Sequence, residues 1–348
     1  MNTMSDKKHA LRVSYRFEGK GLVMKKIVMF DSKAYDKKWF EECNDSRYDI
    51  HYIESKLNED TVQLAQGANA ICAFVNDDLN RRVISKIEEM GIGIVAMRCA
   101  GYSNVDYKSG SGKVKFVRVP AYSPYAVAEF AMGLLLTLNR KIHKAYNRTR
   151  EYNFNINGLS GMDLYGKTAG VIGTGKIGKI FISICKGFGM KILAYDLYPD
   201  KNADYEYVDL DTLFRESDII SLHCPLTEQT KYIIDEEAIS KMKNHTILVN
   251  TSRGGLCESQ ALFNALKEKR IGGAALDVYE EEAEWFFEDH SEKGIQDDTL
   301  ALLTAMPNVL VTSHQAFLTE EALKNIAEVT LQNIDDYFAG NKLENEIV

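Results

Sequence analysis

The stretch AGVIGTGKIGKIFISICKGFGMKILAYD (169–196) constrains this chain more than any other. A short apolar run leads into three glycines, Gly173, Gly175 and Gly178, at GxGxxG spacing. A segment with helical periodicity follows (176–188), and then a second apolar run, KILAYD, that ends on Asp196. The hexamer alone is common in ordinary turns, but its place between a strand and a helix gives each glycine a physical task. Gly173 permits the tight turn, Gly175 lets a phosphate approach the backbone, and Gly178 lets helix and strand pack closely. The helix start offers unpaired N–H groups and the positive end of its dipole to a pyrophosphate. Asp196, 18 residues after Gly178, can accept hydrogen bonds from ribose hydroxyls and would repel a 2′-phosphate. A strand-end aspartate can also be a plain turn former; the phased unit as a whole favours a dinucleotide site for NAD over NADP.

The rest of the chain repeats the alternation of short apolar strands and amphipathic helices. KKIVMF, DIHYIES, ANAICAFVN, IGIVAMRCA and KVKFVRV read as strands of a first parallel sheet that ends near residue 120, with helices near 37–42, 59–66 and 83–91. SPYAVAEFAMGLLLTLNRKIHKAY (123–146) reads as one long helix, capped by Ser123 with Pro124 in its first position. A second series then runs from AGVIG to NVLVTSH (308–314). The last helix, 319–340, has no strand after it and is expected to pack back on the first unit, making that unit discontinuous. The predicted fold class is α/β with two doubly wound parallel sheets.

Composition narrows the function classes. A net charge of −8 with no basic block argues against a nucleic-acid partner. The longest apolar candidate, AVAEFAMGLLLTL (126–138), is shorter than the ~18 residues of a membrane span and carries Glu129. Six cysteines lie scattered without a CxxC pair, so neither a disulfide framework nor a metal site is expected. Residues 1–23 are polar, lack the apolar stretch of a secretory signal and are set aside as a leader or extension. The chain is expected to be cytoplasmic.

A nicotinamide enzyme acting on a carbonyl needs a proton donor, and a cation for any substrate carboxylate. Both are sought at the C-terminal ends of strands, where doubly wound sheets bind ligands. Arg253, in NTSRGG, leaves a strand end into a glycine turn and can grip a carboxylate through two hydrogen bonds. His314, in VTSHQAF, ends the last strand, although position alone does not separate a catalytic histidine from a core or surface one. His223, in SLHCPLT, is a possible cofactor neighbour in a loop that Pro225 makes look structural. In ALDVYEEE (275–282), Asp277 could face the nicotinamide, and Glu280, Glu281 or Glu282 could stand against His314.

Taken together, RCAGYSNVD (98–106), PAYSPYAVAEF (120–130), GTGKIG, SLHCPLT, NTSRGG, ALDVYEEE and SHQAF resemble the D-isomer-specific 2-hydroxyacid dehydrogenases, in the family order from about Met24 onward. The resemblance implies a Rossmann-type NAD domain (124–316) inserted into a flavodoxin-like substrate-binding domain (24–123 and 317–348), with the active site in the cleft between them. It implies that Arg253 orients the 2-oxoacid, that His314 is the acid–base group and that Glu282 is its partner. The Ala100 and Gly101 amides with Tyr122 would hold the substrate carboxylate, and Phe317 would shape the methyl side. Lys176, Ile177, Cys224, Pro225, Thr230, Thr251, Ser252 and Asp277 would join Gly173, Gly175, Gly178 and Asp196 at the cofactor. Within the family, the likeness of EWFFEDHSEKGIQDDTLALL (284–303), leading into NVLVTSHQAFLT, implies reversible NADH-dependent reduction of pyruvate to D-lactate. Tyr102, Tyr122 and Phe317 argue for a small substrate. A larger 2-oxoacid (2-oxoisocaproate, phenylpyruvate, hydroxypyruvate) and a non-catalytic NAD-sensing protein are the alternatives. A homodimer or homotetramer is expected.

Overall fold

Residues 24–109 and 112–348, which this computed structural model describes, form two parallel sheets; the leader assigned to 1–23 lies outside the described residues. The first sheet is built from β1 (Lys25–Met29), α1 (Ala34–Asn44), β2 (Tyr48–Tyr52), β3 (Ala70–Ala73), α2 (Arg81–Glu89), β4 (Ile94–Met97) and β5 (Lys115–Arg118). Its strand order is β2-β1-β3-β4-β5. Two helices follow, α3 (Pro124–Arg140) and α4 (Ile142–Arg150). The second sheet comes from β6 (Thr168–Ile172), α5 (Lys176–Gly187), β7 (Lys191–Tyr195), β8 (Glu206–Tyr207), α6 (Leu210–Glu216), β9 (Ile219–Leu222), α7 (Glu236–Ser240), β10 (Ile247–Asn250), α8 (Ser259–Lys267), β11 (Gly273–Leu276), α9 (Asp298–Ala305) and β12 (Val309–Val311). Its order is β12-β11-β10-β9-β6-β7-β8.

Strands β3, β4, β9, β10 and β11 are buried at every position, because helices cover both faces of each sheet. That is why they read as apolar runs and not as alternations. Strand order reverses between β1 and β3 in one sheet and between β6 and β9 in the other, the crevices where doubly wound sheets bind ligands. The C-terminal helix α10 (Glu320–Ala339) packs on α1 and β4, and its Ile326, Ala327, Leu331 and Ile334 share a core with Ile27 and Phe40. Thus the end of the chain completes the unit that the beginning started.

Two local expectations differ from the structure, and one strand was not anticipated. The helix read as continuous over 123–146 is broken at Lys141, whose φ of 53° is left-handed. The cause is tertiary: the Asn139 side chain pairs with both backbone groups of Met162 (2.8 and 2.9 Å), and Lys141 Nζ donates to the Ser160 carbonyl. Ser123 does cap α3, accepting from the Ala126 amide at 3.2 Å, and Pro124 opens it. The helix expected near 59–66 is only a single 3-10 turn, Val62–Ala65. Asn58 Oδ1 takes the amides of Asp60 and Thr61, a local alternative to helical pairing. The short strand β8 carries no periodicity to read. From its last residue, the Tyr207 hydroxyl meets Thr174 Oγ1 and the Asp200 amide.

Candidate active site

The turn from β6 into α5 is built by sterics. Gly173 has φ 95°, and a Cβ there would lie 2.5 Å from the Cys224 amide nitrogen. A Cβ on Gly178 would collide with the Gly173 carbonyl oxygen, so the loop and the helix can approach only through these two glycines. Gly175 differs: nothing stands within 4 Å of its Cβ direction. It is the N-cap of α5 and offers no side-chain acceptor, so the first-turn amides around Lys176 and Ile177 have no capping side chain. This is an open cradle at a helix N-terminus, and a pyrophosphate fits it.

At the end of β7, Asp196 Oδ2 accepts from the Thr174 amide (2.6 Å) and hydroxyl (3.0 Å), and Oδ1 accepts from the Tyr198 amide (2.9 Å). Partial burial works against the ionised form, but these donors and nearby Lys179 hold the carboxyl below its ordinary range. Oδ1 keeps a free lone pair for a ribose hydroxyl. On the other side of the crevice, Ser252 Oγ donates to the Cys224 carbonyl (2.7 Å) and Thr230 Oγ1 to the Pro225 carbonyl (2.6 Å). These residues shape the loop. Thr251 Oγ1 is buried without a hydrogen-bond partner among the described residues, as a hydroxyl awaiting a ligand would be. His223 is a packing residue: burial pushes its pKa down to about 3, its ring lies 4.9 Å from Phe181, and Nε2 meets Ser221 Oγ at 2.9 Å.

Arg253 leaves β10 on a turn tied by Asn250, whose Oδ1 takes the Ser252 amide (3.0 Å) and whose Nδ2 donates to the Arg253 carbonyl (2.9 Å). The guanidinium, bonded to the Ser252 carbonyl at 2.6 Å, reaches the first unit: a Cβ on Gly101 would stand 2.8 Å from its Nη2. Ala100 and Gly101 follow β4 in a turn held by Arg118, which donates to the Ala100 carbonyl (2.9 Å). Among the described residues, their own amides meet no acceptor.

His314 follows β12 with φ 51°, a conformation that costs a non-glycine residue roughly 1–2 kcal/mol. Asp277 holds that loop in place. Its carbonyl takes the His314 amide (2.7 Å), and its carboxylate takes Thr312 Oγ1 (2.6 Å) and the amides of Gln315 (2.9 Å) and Ala316 (2.8 Å). Burial nonetheless pushes the Asp277 carboxyl up. His314 Nδ1 lies 2.7 Å from Glu282 Oε1, while Glu282 Oε2 accepts from the Tyr279 amide (3.0 Å). Of the three candidate glutamates, Glu280 instead faces the Tyr232 hydroxyl and the Ser259 amide, and Glu281 is exposed. A carboxylate only accepts, so Nδ1 carries the hydrogen and Nε2 is the nitrogen left for chemistry.

One small cavity, about 30 Å³, is lined by Arg253, His314, Ala100, Gly101, Tyr122 and Phe317 together. Tyr102, expected beside it, is not a lining residue; it packs on Tyr107 and Arg118. Its place is taken by Phe74, after β3, and by Phe287. Arg98 also lines the cavity. It is buried, lies 3.3 Å from Asp36, and supports the Phe74 ring face at 4.6 Å. Phe74 and Arg98 follow strand ends, the signal already used for Arg253. Phe287 lies in an irregular loop and has no such signal.

The model of the D-isomer specific 2-hydroxyacid dehydrogenase NAD-binding domain matches residues 132–316. D-lactate dehydrogenase of Escherichia coli strain K12 is 50% identical over 328 residues, covering 93% of this chain and all of that protein. The apo-structure of D-lactate dehydrogenase from Escherichia coli superposes with a TM-score of 0.85 at 47% identity, over 93% of this chain and 100% of that one. The NAD-complexed D-isomer specific 2-hydroxyacid dehydrogenase of Lactobacillus delbrueckii ssp. bulgaricus gives a TM-score of 0.78 at 29% identity, with 93% and 100% coverage.

Proposed function

The chain belongs to the D-isomer-specific 2-hydroxyacid dehydrogenases, NAD-dependent oxidoreductases, and from that premise we propose that it reduces pyruvate to D-lactate reversibly. The observation that carries this reading is the shared cavity: a guanidinium and a carboxylate-backed imidazole, from different strands, meet the Ala100 and Gly101 turn around one small space. NADH, when bound, supplies the hydride to the carbonyl carbon.

The chain's own groups do the rest. The Ala100 and Gly101 amides and the Arg253 guanidinium hold the substrate carboxylate and draw charge toward the carbonyl oxygen. As that oxygen becomes an alkoxide, His314 Nε2 gives it a proton, and Glu282 steadies the ring through Nδ1. In the reverse direction the same imidazole takes the proton back. Phe317 forms the side facing the methyl group, and Tyr122, 6.1 Å from it between ring centroids, stands with the two amides at the carboxylate. The cofactor cradle takes in Gly173, Gly175, Lys176, Ile177 and Gly178, with Asp196 on the ribose and Thr251, Ser252 and Asp277 toward the nicotinamide; Cys224, Pro225 and Thr230 frame it.

We assign residues 24–123 and 317–348 to substrate binding and 124–316 to NAD. The chain acts in the cytoplasm as a homodimer or homotetramer; no helix among the described residues is long and apolar enough to cross a membrane. Exposed Tyr146, Tyr152, Phe154 and Ile156 after α3 support a subunit contact there. A panel of 2-oxoacids assayed with NADH tests the substrate assignment. Pyruvate should give the highest kcat/KM; a clear preference for phenylpyruvate or 2-oxoisocaproate would replace it.

A further inference from the structure

The small reaction cavity has a larger neighbour. A second space of about 240 Å³ is lined by Lys33, Tyr35, Ser313, Gln315 and Leu318, and the two spaces share Phe287 and Phe317. These two rings therefore border both the small cavity that holds Arg253 and His314 and a space several times its volume.

Phe317 comes from the loop after His314, as its motif implied. Phe287 comes from elsewhere. It lies in the irregular segment after β11, five residues beyond Glu282, and reaches across the cleft. Its ring meets Phe74 edge-on at 5.4 Å and His314 at 6.0 Å, and it packs against the cores of both units. The same segment is tied to the first unit on both sides: Lys56 Nζ donates to the Ala283 carbonyl (3.3 Å), and Lys33 pairs with Glu288 (3.4 Å). Phe287 itself has φ 69°, a backbone conformation unfavourable for a bulky side chain. Such a conformation persists only where surroundings over-determine it, and these cluster at functional sites.

We infer that Phe287 is a specificity-determining residue: its ring closes the reaction cavity off from the larger space and excludes 2-oxoacids with longer side chains. The inference rests on the 2-oxoacid reductase reading above. A chain extended past the methyl position runs beyond Phe317 against the Phe287 ring, and truncating that ring joins the two spaces. The joined space is bordered by Leu318 and Tyr35, by the uncharged Ser313 and Gln315, and by Lys33, already paired with Asp31 at 2.9 Å and with Glu288. An uncharged alkyl chain is accordingly the class that would enter.

The test compares wild type, Phe287→Ala and Phe287→Leu with NADH and two substrates, pyruvate and 2-oxohexanoate. The kcat/KM ratio of 2-oxohexanoate to pyruvate should rise at least ~100-fold in Phe287→Ala, in the range that a few methylenes of pocket space can produce. Phe287→Leu should move it in the same direction by less, and decides the matter if the alanine variant does not fold. Equal loss with both acids, leaving the ratio unchanged, would reduce Phe287 to a packing residue and overturn the inference. A wild-type chain that reduces neither acid would overturn the proposed function and this inference with it, whereas a pyruvate-active wild type with unaltered selectivity in the variants overturns the inference alone.

Discussion

His314 Nδ1 lies 2.7 Å from Glu282 Oε1, across 32 residues of sequence, and both side chains are more than four-fifths buried. The pairing fixes the ring by its far nitrogen and commits Nε2 to the cavity. Glu282 is itself held by the Tyr279 amide, so a chain of two hydrogen bonds ties the imidazole to the backbone on the side away from Nε2.

Replacing His314 by Gln removes the proton donor and should lower kcat by about 10²–10⁴-fold. Glu282→Gln keeps an acceptor for Nδ1 but loses the charge, and a smaller fall of ~10–10²-fold is expected. Neither change should move NADH affinity by more than about twofold. Steady-state turnover and NADH fluorescence titration on the same preparations check both.

Arg253→Gln should act on the substrate and spare the cofactor. Charge-assisted hydrogen bonds contribute about 1.5–3 kcal/mol each, so losing one or two predicts a fall in kcat/KM of ~10²–10³-fold for pyruvate. NADH titration should stay within a few-fold of wild type. Equal loss of both would place Arg253 in the scaffold.

Asp196→Ala should relax the choice of dinucleotide. The carboxylate that accepts from a ribose hydroxyl also repels a 2′-phosphate. The ratio of kcat/KM for NADPH over NADH should rise at least ~10-fold, measured with pyruvate saturating. An unchanged ratio would leave Asp196 as the fastener of the Thr174 turn alone.

Asp218 gives a pH prediction. Burial works to raise its carboxyl, but the Thr168 amide, His245 and Lys243 outweigh that and hold it at about 2, against an ordinary 3.8. A depressed folded pKa stabilises the fold above the unfolded value, and that contribution is lost as pH falls from about 4 through about 2. It amounts to ~2 kcal/mol at most. Asp218→Asn should therefore cost about 1–2 kcal/mol in urea unfolding at pH 7, and the gap to wild type should narrow toward pH 3.

Much of this was legible in the chain because it rests on local rules. The glycine turn, Asp196 and the capped start of α3 each follow from sterics or polar chemistry within a few residues. Arg253 and His314 were found by the rule that doubly wound sheets bind ligands beyond strand ends. The break at Lys141 was not legible, since its cause is a pairing of Asn139 with Met162 through tertiary contact. The choice among Glu280, Glu281 and Glu282 was open on position alone, because a 3-10 turn at Glu282–Glu284 decides which carboxylate faces the imidazole. Phe287 was missed for the same reason: it belongs to an irregular loop whose path depends on contacts with the other unit.

Chiral analysis of the product tests the central claim most directly, that Arg253 and His314 converge on one carbonyl beside the cofactor. Incubated with NADH and pyruvate, the chain should form D-lactate alone, one molecule for each NADH oxidised. L-lactate, a racemic product, or no NADH oxidation would contradict the account.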